Sequence, residues 1–176
     1  PGLTVLRPAD ANEVKAAWTT ALENTEGPTA LLLSRQGLTT LEGSASVEKG
    51  GYVIKEESGS EADVIVMASG SEVKHCIDAA EVLEGQGQSV RVVSVPSTKL
   101  FNEQSAEYKE SVLPNSVRKR FAVDYGSSLS WQRYLGLDGE SLCLDRFGES
   151  GPGGKVAEHF GFTADSVAEK VAAYLG

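Results

Sequence analysis

The first part of the chain, residues 1–40, has the hydrophobic pattern of a strand, a helix and a second strand. The short apolar run at residues 3–6 predicts the first strand. In the helix that follows, Asp10 can cap the first turn and Glu13 can reach back to it, as in a capping box. The apolar residues of this helix fall on one face at helical spacing; they are Val14, Ala17, Trp18, Ala21 and Leu22. Residues 29–33 form an unbroken apolar run, which predicts a buried parallel strand.

From residue 51 onward the pattern predicts a full set of alternating strands and helices. Strands are predicted at residues 52–54, 62–68, 89–95, 120–124 and 141–145. Helices are predicted at residues 72–84, 103–112, 129–135, 155–160 and 164–175. We expect Asn102 to cap the second of these helices, and Thr163 or Asp165 to cap the last. Units of this kind, repeated about every thirty residues, predict an α/β fold with a mostly parallel sheet and helices on both faces.

The two parts of the chain differ in completeness. One helix between two strands, as in residues 1–40, leaves apolar surface that needs partners from elsewhere. Residues 36–51 are rich in Gly, Ser, Thr and Glu and have no period, so they predict a linker. The sequence also begins at Pro1 instead of Met. We therefore expect a partial α/β segment followed by a whole domain, within a longer protein.

Charge and cysteine content narrow the function classes. The chain has 25 acidic and 16 basic side chains and a net charge of −9, which argues against a nucleic-acid partner. A phosphorylated substrate stays possible, because one well-placed arginine can hold a phosphate. The two cysteines form no CxxC pair and indicate a reduced, cytoplasmic protein. The sequence has no run typical of a membrane span or a signal peptide, so we expect no membrane partner.

Arg35 is the first candidate for chemistry, because it follows directly on the predicted strand at residues 29–33. Ligands of open α/β sheets bind at the carboxyl ends of the strands. The planar guanidinium can bond two phosphate oxygens at once. A strand-end arginine more often forms an ordinary salt bridge, and its position alone favours that interpretation.

The other candidates are weaker. Ser69-Gly70-Ser71 lies between a strand and a helix start, where an anion can bind, but the string has neither GxGxxG nor Walker spacing and favours an ordinary cap. His75 and His159 have no partners at metal-ligand spacing. The strand-end loops at residues 124–126 and 145–154 are ambiguous. The residues alone therefore predict an α/β domain with one candidate anion contact.

Four longer stretches of sequence indicate a protein family more specifically than the single residues above. VLRPADANEVKAAWTTALENTEGPTALLLSRQ resembles the end of the pyrimidine-binding domain of transketolases. VIVMASGSEV, VRVVSVPSTKLFNEQSAEYKESVLP and DRFGESGPGGKVAEHFGFTADSV resemble the C-terminal domain of the same family. Related thiamine enzymes share the architecture but lack the combination of RPADANE, LSRQ and FNEQSAEY. The resemblance implies an incomplete pyrimidine-binding domain at 1–40, a linker at 41–51 and the C-terminal domain at 52–176.

The resemblance also implies an activity for the parent protein. Transketolases transfer a two-carbon glycolaldehyde unit from a ketose phosphate to an aldose phosphate, in the pentose phosphate pathway. They use thiamine diphosphate as the electron sink, together with a divalent metal such as magnesium or calcium. In this family the arginine of the SRQ string contacts the sugar phosphate, which reverses the preference from position alone and makes Arg35 the expected substrate-binding residue. Ser34 and Gln36 are only its neighbours.

The same resemblance implies which roles this chain does not have. The family motifs for the metal, the diphosphate and the catalytic glutamate would precede Pro1, so we assign no catalytic, cofactor-binding or metal residue here. We expect no cofactor to bind this chain by itself, and no activity without the upstream domains. The expected partners are sugar phosphates, those upstream domains and a second copy in a homodimer. Two alternatives are a small-anion-binding module at residues 69–72 and a non-catalytic dimerisation or regulatory domain.

Overall fold

The computed structural model describes residues 2–43 and 46–176, and within them it contains two sheets. The first sheet has two parallel strands, β1 (Thr4–Leu6) and β2 (Thr29–Leu31). They are joined by the helix α1 (Ala11–Glu23). The partial α/β segment predicted at the start of the chain is therefore present.

The second sheet has five strands in the order β3-β5-β4-β6-β7. Its strands are β3 (Tyr52–Lys55), β4 (Val64–Ala68), β5 (Val90–Ser94), β6 (Arg120–Asp124) and β7 (Glu140–Cys143). The edge strand β3 pairs antiparallel with β5, and every other pair is parallel. The predicted fold class, a mostly parallel α/β sheet, is confirmed.

Helices cover both faces of this sheet. They are α2 (Glu72–Gly85), α3 (Thr98–Asn102), α4 (Ala106–Val112), α5 (Gln132–Leu135), α6 (Gly153–His159) and α7 (Ala164–Leu175), with short 3₁₀ helices at Val47–Lys49 and Ser128–Ser130. The central strand β4 alternates between two cores. Val64 and Val66 pack with α2 and α7, whereas Ile65 and Met67 pack with α3, α4 and α5.

The helix predicted at residues 103–112 is wrong at its start. Asn102 ends α3 instead of capping a helix. The caps are two serines: Ser97 accepts a hydrogen bond from the Leu100 amide, and Ser105 accepts one from the Tyr108 amide. Each serine begins a short helix of its own, so the predicted helix is shortened to α4, and α3 precedes it where no helix was predicted.

The parallel strand predicted at residues 29–33 is present over Thr29–Leu31, but the prediction that it is buried is wrong. β2 ends at Leu31 and is half-buried, and Leu32 and Leu33 are about half exposed. The apolar face of α1 is also open, since Trp18 and Leu22 are exposed at 52% and 76%. Among the described residues β2 pairs only with β1, and these four side chains stay half exposed or more.

Candidate functional site

Arg35 lies in the turn that follows β2, and its side chain is exposed. No hydrogen bond or ion pair joins it to any other described residue. The strand-end salt bridge that its position favoured does not form with residues 2–43 or 46–176. The guanidinium keeps all its donors for a ligand.

The residues on either side of Arg35 face a cleft of about 510 Å³. Ser34 and Gln36 line it from one side, and His75, Tyr125 and the glycine-rich loop before α6 line it from the other. Arg35 itself is not part of this lining. The two neighbours of Arg35 therefore face the cleft, and Arg35 does not.

The crevice at the carboxyl ends of β4 and β6 is the place where a sheet of this topology would bind a ligand. The connection after β4 runs through α2 on one face, and the connection after β6 runs through α5 on the other. Such a switch point is the usual ligand site of open α/β sheets. Here it holds Arg7, whose Nη2 lies 2.6 Å from Glu72 Oε1 and whose Nη1 lies 3.1 Å from Asp124 Oδ1. We call Arg7, Glu72 and Asp124 the Arg7 cluster.

Glu72 is fully buried at the first position of α2. Its Oε1 also accepts a hydrogen bond from the Tyr125 amide at 2.9 Å, and its Oε2 accepts one from Ser71 Oγ at 2.7 Å. A buried carboxylate is costly unless its oxygens are paired, and here both are. The start of α2, proposed above as an anion site, therefore already carries a paired carboxylate, which disfavours the anion-binding alternative.

Asp124, the last residue of β6, is held in the same way. Its Oδ1 accepts a hydrogen bond from the Gly126 amide at 2.7 Å, and its Oδ2 accepts one from Trp131 Nε1 at 2.9 Å. Burial acts to lower the pKa of Arg7, but the attraction of Glu72 and Asp124 outweighs it and leaves that pKa raised. Arg7 therefore stays charged at all physiological pH values.

Gly70 makes room for the Arg7 side chain. Its φ of +63° lies in the left-handed region, and a Cβ at this position would lie 2.9 Å from Arg7 Nε. Any larger residue would be strained and would collide with the guanidinium. The Ser69-Gly70-Ser71 turn is thus shaped around an arginine of the preceding segment.

A second cluster joins the start of α1 to the C-terminal sheet. Asp10 Oδ1 accepts the Glu13 amide at 2.8 Å, so the predicted cap is present. Glu13 is fully buried, and its Oε1 accepts hydrogen bonds from Tyr52 at 2.7 Å and Ser94 at 2.6 Å. Its Oε2 accepts the Ala9 amide at 2.7 Å. Glu13 therefore reaches back to the Ala9 amide, whereas a capping box would require the Asp10 amide, and it also forms hydrogen bonds to β3 and β5.

The two histidines belong to no metal-binding cluster of the described residues. His159 Nε2 lies 3.8 Å from Glu149, and its ring contacts Phe160 edge-on. His75 lines the cleft described above. Within the described residues no group of three or more His, Cys, Asp or Glu side chains could hold a metal ion. No helix in this part of the chain has the length and apolar character needed to cross a membrane.

Sequence reasoning missed the Arg7 cluster, although a signal for it exists. Arg7 directly follows a predicted strand, Asp124 ends another, and Glu72 begins a predicted helix. These are the same strand-end positions that drew attention to Arg35. What the sequence could not give is that these three residues, from distant parts of the chain, come into contact.

Comparisons with known proteins agree with this architecture. The family profile described as "Transketolase-like TK C-terminal domain" matches residues 50–163, and that of the "Transketolase, pyrimidine binding domain" matches residues 1–40. A transketolase of Halalkalibacterium halodurans is 51% identical over 180 aligned positions, which cover 99% of this chain and 27% of that protein.

Two solved structures are also similar. A Pichia stipitis transketolase in complex with sedoheptulose-7-phosphate has a TM-score of 0.91 and 42% identity, covering 99% of this chain and 25% of that one. A structure described as a split gene transketolase, in the form of an inactive tetramer, has a TM-score of 0.78 and 25% identity, covering 99% of this chain and 58% of that one.

The fold and the Arg7 cluster define an α/β domain whose strand-end crevice is filled by an arginine of a second, smaller α/β unit. The chain belongs to the transketolase family. The resemblance read from its strings is confirmed. The chain spans 27% of the length of the Halalkalibacterium relative.

Proposed function

We propose that this chain is the C-terminal part of a transketolase that transfers a glycolaldehyde unit from a ketose phosphate to an aldose phosphate, and that Arg35 binds the sugar phosphate. The observation that carries the site is the exposed Arg35 side chain, which has no partner among the described residues. Family membership supports the reaction. The sugar phosphate named for the similar Pichia stipitis structure supports the substrate class.

Arg35 acts by binding and orientation. Its guanidinium can donate two parallel hydrogen bonds to phosphate oxygens, which fixes both the position and the rotation of the phosphate. A phosphate held at one end of the sugar places the reacting carbon at a constant distance from it. Arg35 takes no part in bond making or proton transfer in this proposal.

We place the thiamine diphosphate and divalent metal sites in other parts of the parent protein. The residues of this chain do not fit these groups, since the strand-end crevice suited to a diphosphate is filled by Arg7 between two carboxylates. Residues 2–43 and 46–176 also lack a cluster of metal-ligating side chains. We therefore expect the chain to be inactive alone.

The open apolar surface of residues 1–40 is the proposed contact with the rest of the pyrimidine-binding domain. Its side chains are between 37% and 76% exposed: Leu3, Val5, Trp18, Leu22, Leu32 and Leu33. Exposed apolar patches of this kind mark protein interfaces. The match of the pyrimidine-binding profile to residues 1–40 supports the missing remainder as the partner. The proposed domain division is 1–40, 41–51 and 52–176.

We propose a homodimeric, cytoplasmic parent protein. A dimer is implied by the family, and the similar split gene transketolase is also named as an oligomer, a tetramer. Cys76 and Cys143 are both free thiols, as is usual in reducing compartments. Sedimentation of the whole protein tests the dimer.

The test of the phosphate contact is Arg35→Ala in the full-length enzyme that contains this sequence. Losing one charge-assisted contact should raise KM for sugar phosphates by an amount worth about 2–3 kcal/mol, with little change in kcat. Steady-state kinetics should be measured with an aldose phosphate and with the same aldose lacking its phosphate. Arg133→Ala is a suitable control, because Arg133 is an exposed arginine on α5. Equal effects on both aldoses would refute the role of Arg35.

A further inference from the structure

The end of β1 and the loop that carries Arg35 are joined by the backbone. β1 and β2 are parallel, so their carboxyl ends lie at the same edge of their sheet. Arg7 directly follows β1. The Leu32 amide donates a hydrogen bond to the Leu6 carbonyl at 2.8 Å. The chain that leads to Arg35 is therefore held to the residue that precedes Arg7.

Residue 7 is in turn held to the C-terminal sheet at several points. The Arg7 amide donates a hydrogen bond to the Pro96 carbonyl at 2.8 Å, and Ser69 Oγ donates one to the Arg7 carbonyl at 3.5 Å. The guanidinium bonds Glu72 and Asp124. Backbone and side chain together leave this residue little freedom to move relative to β4, β5 and β6.

The geometry uses the shape of an arginine. Two different nitrogens of one guanidinium, Nη2 and Nη1, bond Glu72 and Asp124, whereas a lysine would have to direct its donors from a single nitrogen. Removing the guanidinium would leave two negative charges, one of them fully buried, without their counter-ion. Such a loss strongly destabilises a local structure. The edges of the crevice would separate or take in water.

We infer that Arg7 is a positioning residue for substrate phosphate binding, because its ion pairs with Glu72 and Asp124 set where the Arg35 loop lies relative to the C-terminal sheet. This inference rests on the proposed function of Arg35. Arg7 does not touch substrate in this scheme. In this scheme the C-terminal domain contributes to substrate binding by holding Arg7 in its strand-end crevice. Other open α/β sheets bind a ligand in that crevice.

The experiment compares Arg7→Met, Arg35→Ala and the double variant in the full-length enzyme, again with an aldose phosphate and its unphosphorylated form. Arg7→Met should raise KM for the phosphorylated aldose by roughly tenfold, since displacements near 1 Å cost up to about 10²-fold. The unphosphorylated aldose should change by less than about twofold. In the double variant the Arg7 change should add little to Arg35→Ala, because the contact it positions is already absent.

Arg91→Met is the matched control. Arg91 is also a largely buried arginine that donates two hydrogen bonds to one carboxylate, Glu57, but it lies at the amino end of β5. It should lower the unfolding midpoint as Arg7→Met does and leave the ratio of the two KM values unchanged. Asp124→Asn is a milder second variant, for use if Arg7→Met does not fold, and it should shift the ratio in the same direction by a smaller factor.

The outcomes separate the two proposals. If Arg35→Ala discriminates between the two aldoses and neither Arg7→Met nor Asp124→Asn does, the positioning role is overturned and the proposed function stands. If the effects of Arg7→Met and Arg35→Ala multiply fully in the double variant, Arg7 acts independently and the inference is also overturned. If Arg35→Ala itself does not discriminate, both proposals are overturned.

Discussion

The two regions of this chain contain similar apolar strands but bury them very differently. Every residue of β4 is buried, because β5 and β6 flank it and helices cover both faces. β2 has an equally apolar sequence around it, yet it is only half-buried and pairs with one strand among the described residues. The difference teaches that an apolar run predicts a need for burial, and that the surrounding chain decides whether the need is met.

The regions also differ in how they are joined to each other. The apolar cluster nearest the junction has three buried members, Leu6, Ala17 and Val47. The polar contacts of the Arg7 cluster and of Glu13 are more numerous and more directional. Apolar contact is tolerant of small rotations, whereas hydrogen bonds are not. The polar contacts at the junction therefore fix the orientation of the two regions more firmly than apolar packing alone would.

The largest expected effect tests the contrast in burial. Leu83→Ala removes a fully buried side chain of the C-terminal core and should lower the free energy of unfolding by about 2–5 kcal/mol. Leu22→Ala makes the same chemical change on the open face of α1 and should change it by less than about 0.5 kcal/mol. Denaturant unfolding of the 176-residue chain measures both. Similar losses would show that the face of α1 is covered in solution.

A smaller effect is expected at the junction. Glu13→Gln keeps an oxygen for Tyr52 and Ser94 but turns an amide N–H₂ toward the Ala9 amide, so one buried donor loses its partner. The expected loss of stability is about 1–3 kcal/mol. Glu81→Gln, at an exposed position of α2, serves as the control and should be neutral.

The pH dependence of the same variant has a definite sign. Burial raises the pKa of Glu13 above its usual 4.5, although hydrogen bonds from Ser94, Tyr52 and Ala9 oppose this. The folded state then binds the proton more tightly than the unfolded state, so this contribution to stability is full below pH 4.5 and is lost as pH rises through the raised value. The advantage of the native chain over Glu13→Gln should therefore shrink with rising pH. A pH-independent difference would contradict a raised pKa.

The smallest effect on stability is expected where the open surface is made polar. Trp18→Ser with Leu22→Lys should leave the free energy of unfolding nearly unchanged, because neither side chain is buried. The variant should, however, self-associate less than the native chain, since exposed apolar surface drives association. Sedimentation of the isolated chain across a concentration series measures this. If the variant and the native chain self-associate equally, the self-association does not use this face of α1.

Much of the fold could be predicted from sequence because its signals are local. β6 and α7 have the predicted bounds, since each is a clear apolar pattern between polar residues. The start of the helix predicted at 103–112 was wrong, and α3 before it was missed, because Ser97 and Ser105 compete with Asn102 as caps and sequence alone does not rank them. When several residues can cap a helix equally well, the packing of the folded chain decides which of them does.

The candidate site could be predicted only in part. Arg35 was found from its position and the family strings, and its phosphate contact stays a prediction. The partners of Arg7 and Glu13 were not foreseen, because Arg7 lies 65 and 117 positions from its two carboxylates, and Glu13 lies 81 positions from Ser94. Single-sequence patterns carry no information about such distant pairs.

The hydrogen bond from Trp131 to Asp124 has a practical consequence. The chain has two tryptophans; Trp131 is 2% exposed beside the Arg7 cluster and Trp18 is 52% exposed on the face of α1. An indole emits at shorter wavelength in a dry interior than in water, so the two rings give separable fluorescence signals. One reports whether the crevice stays closed, and the other reports whether a partner has covered the helix. Fluorescence of the two tryptophans can therefore follow the crevice and the face of α1 separately, without an added label.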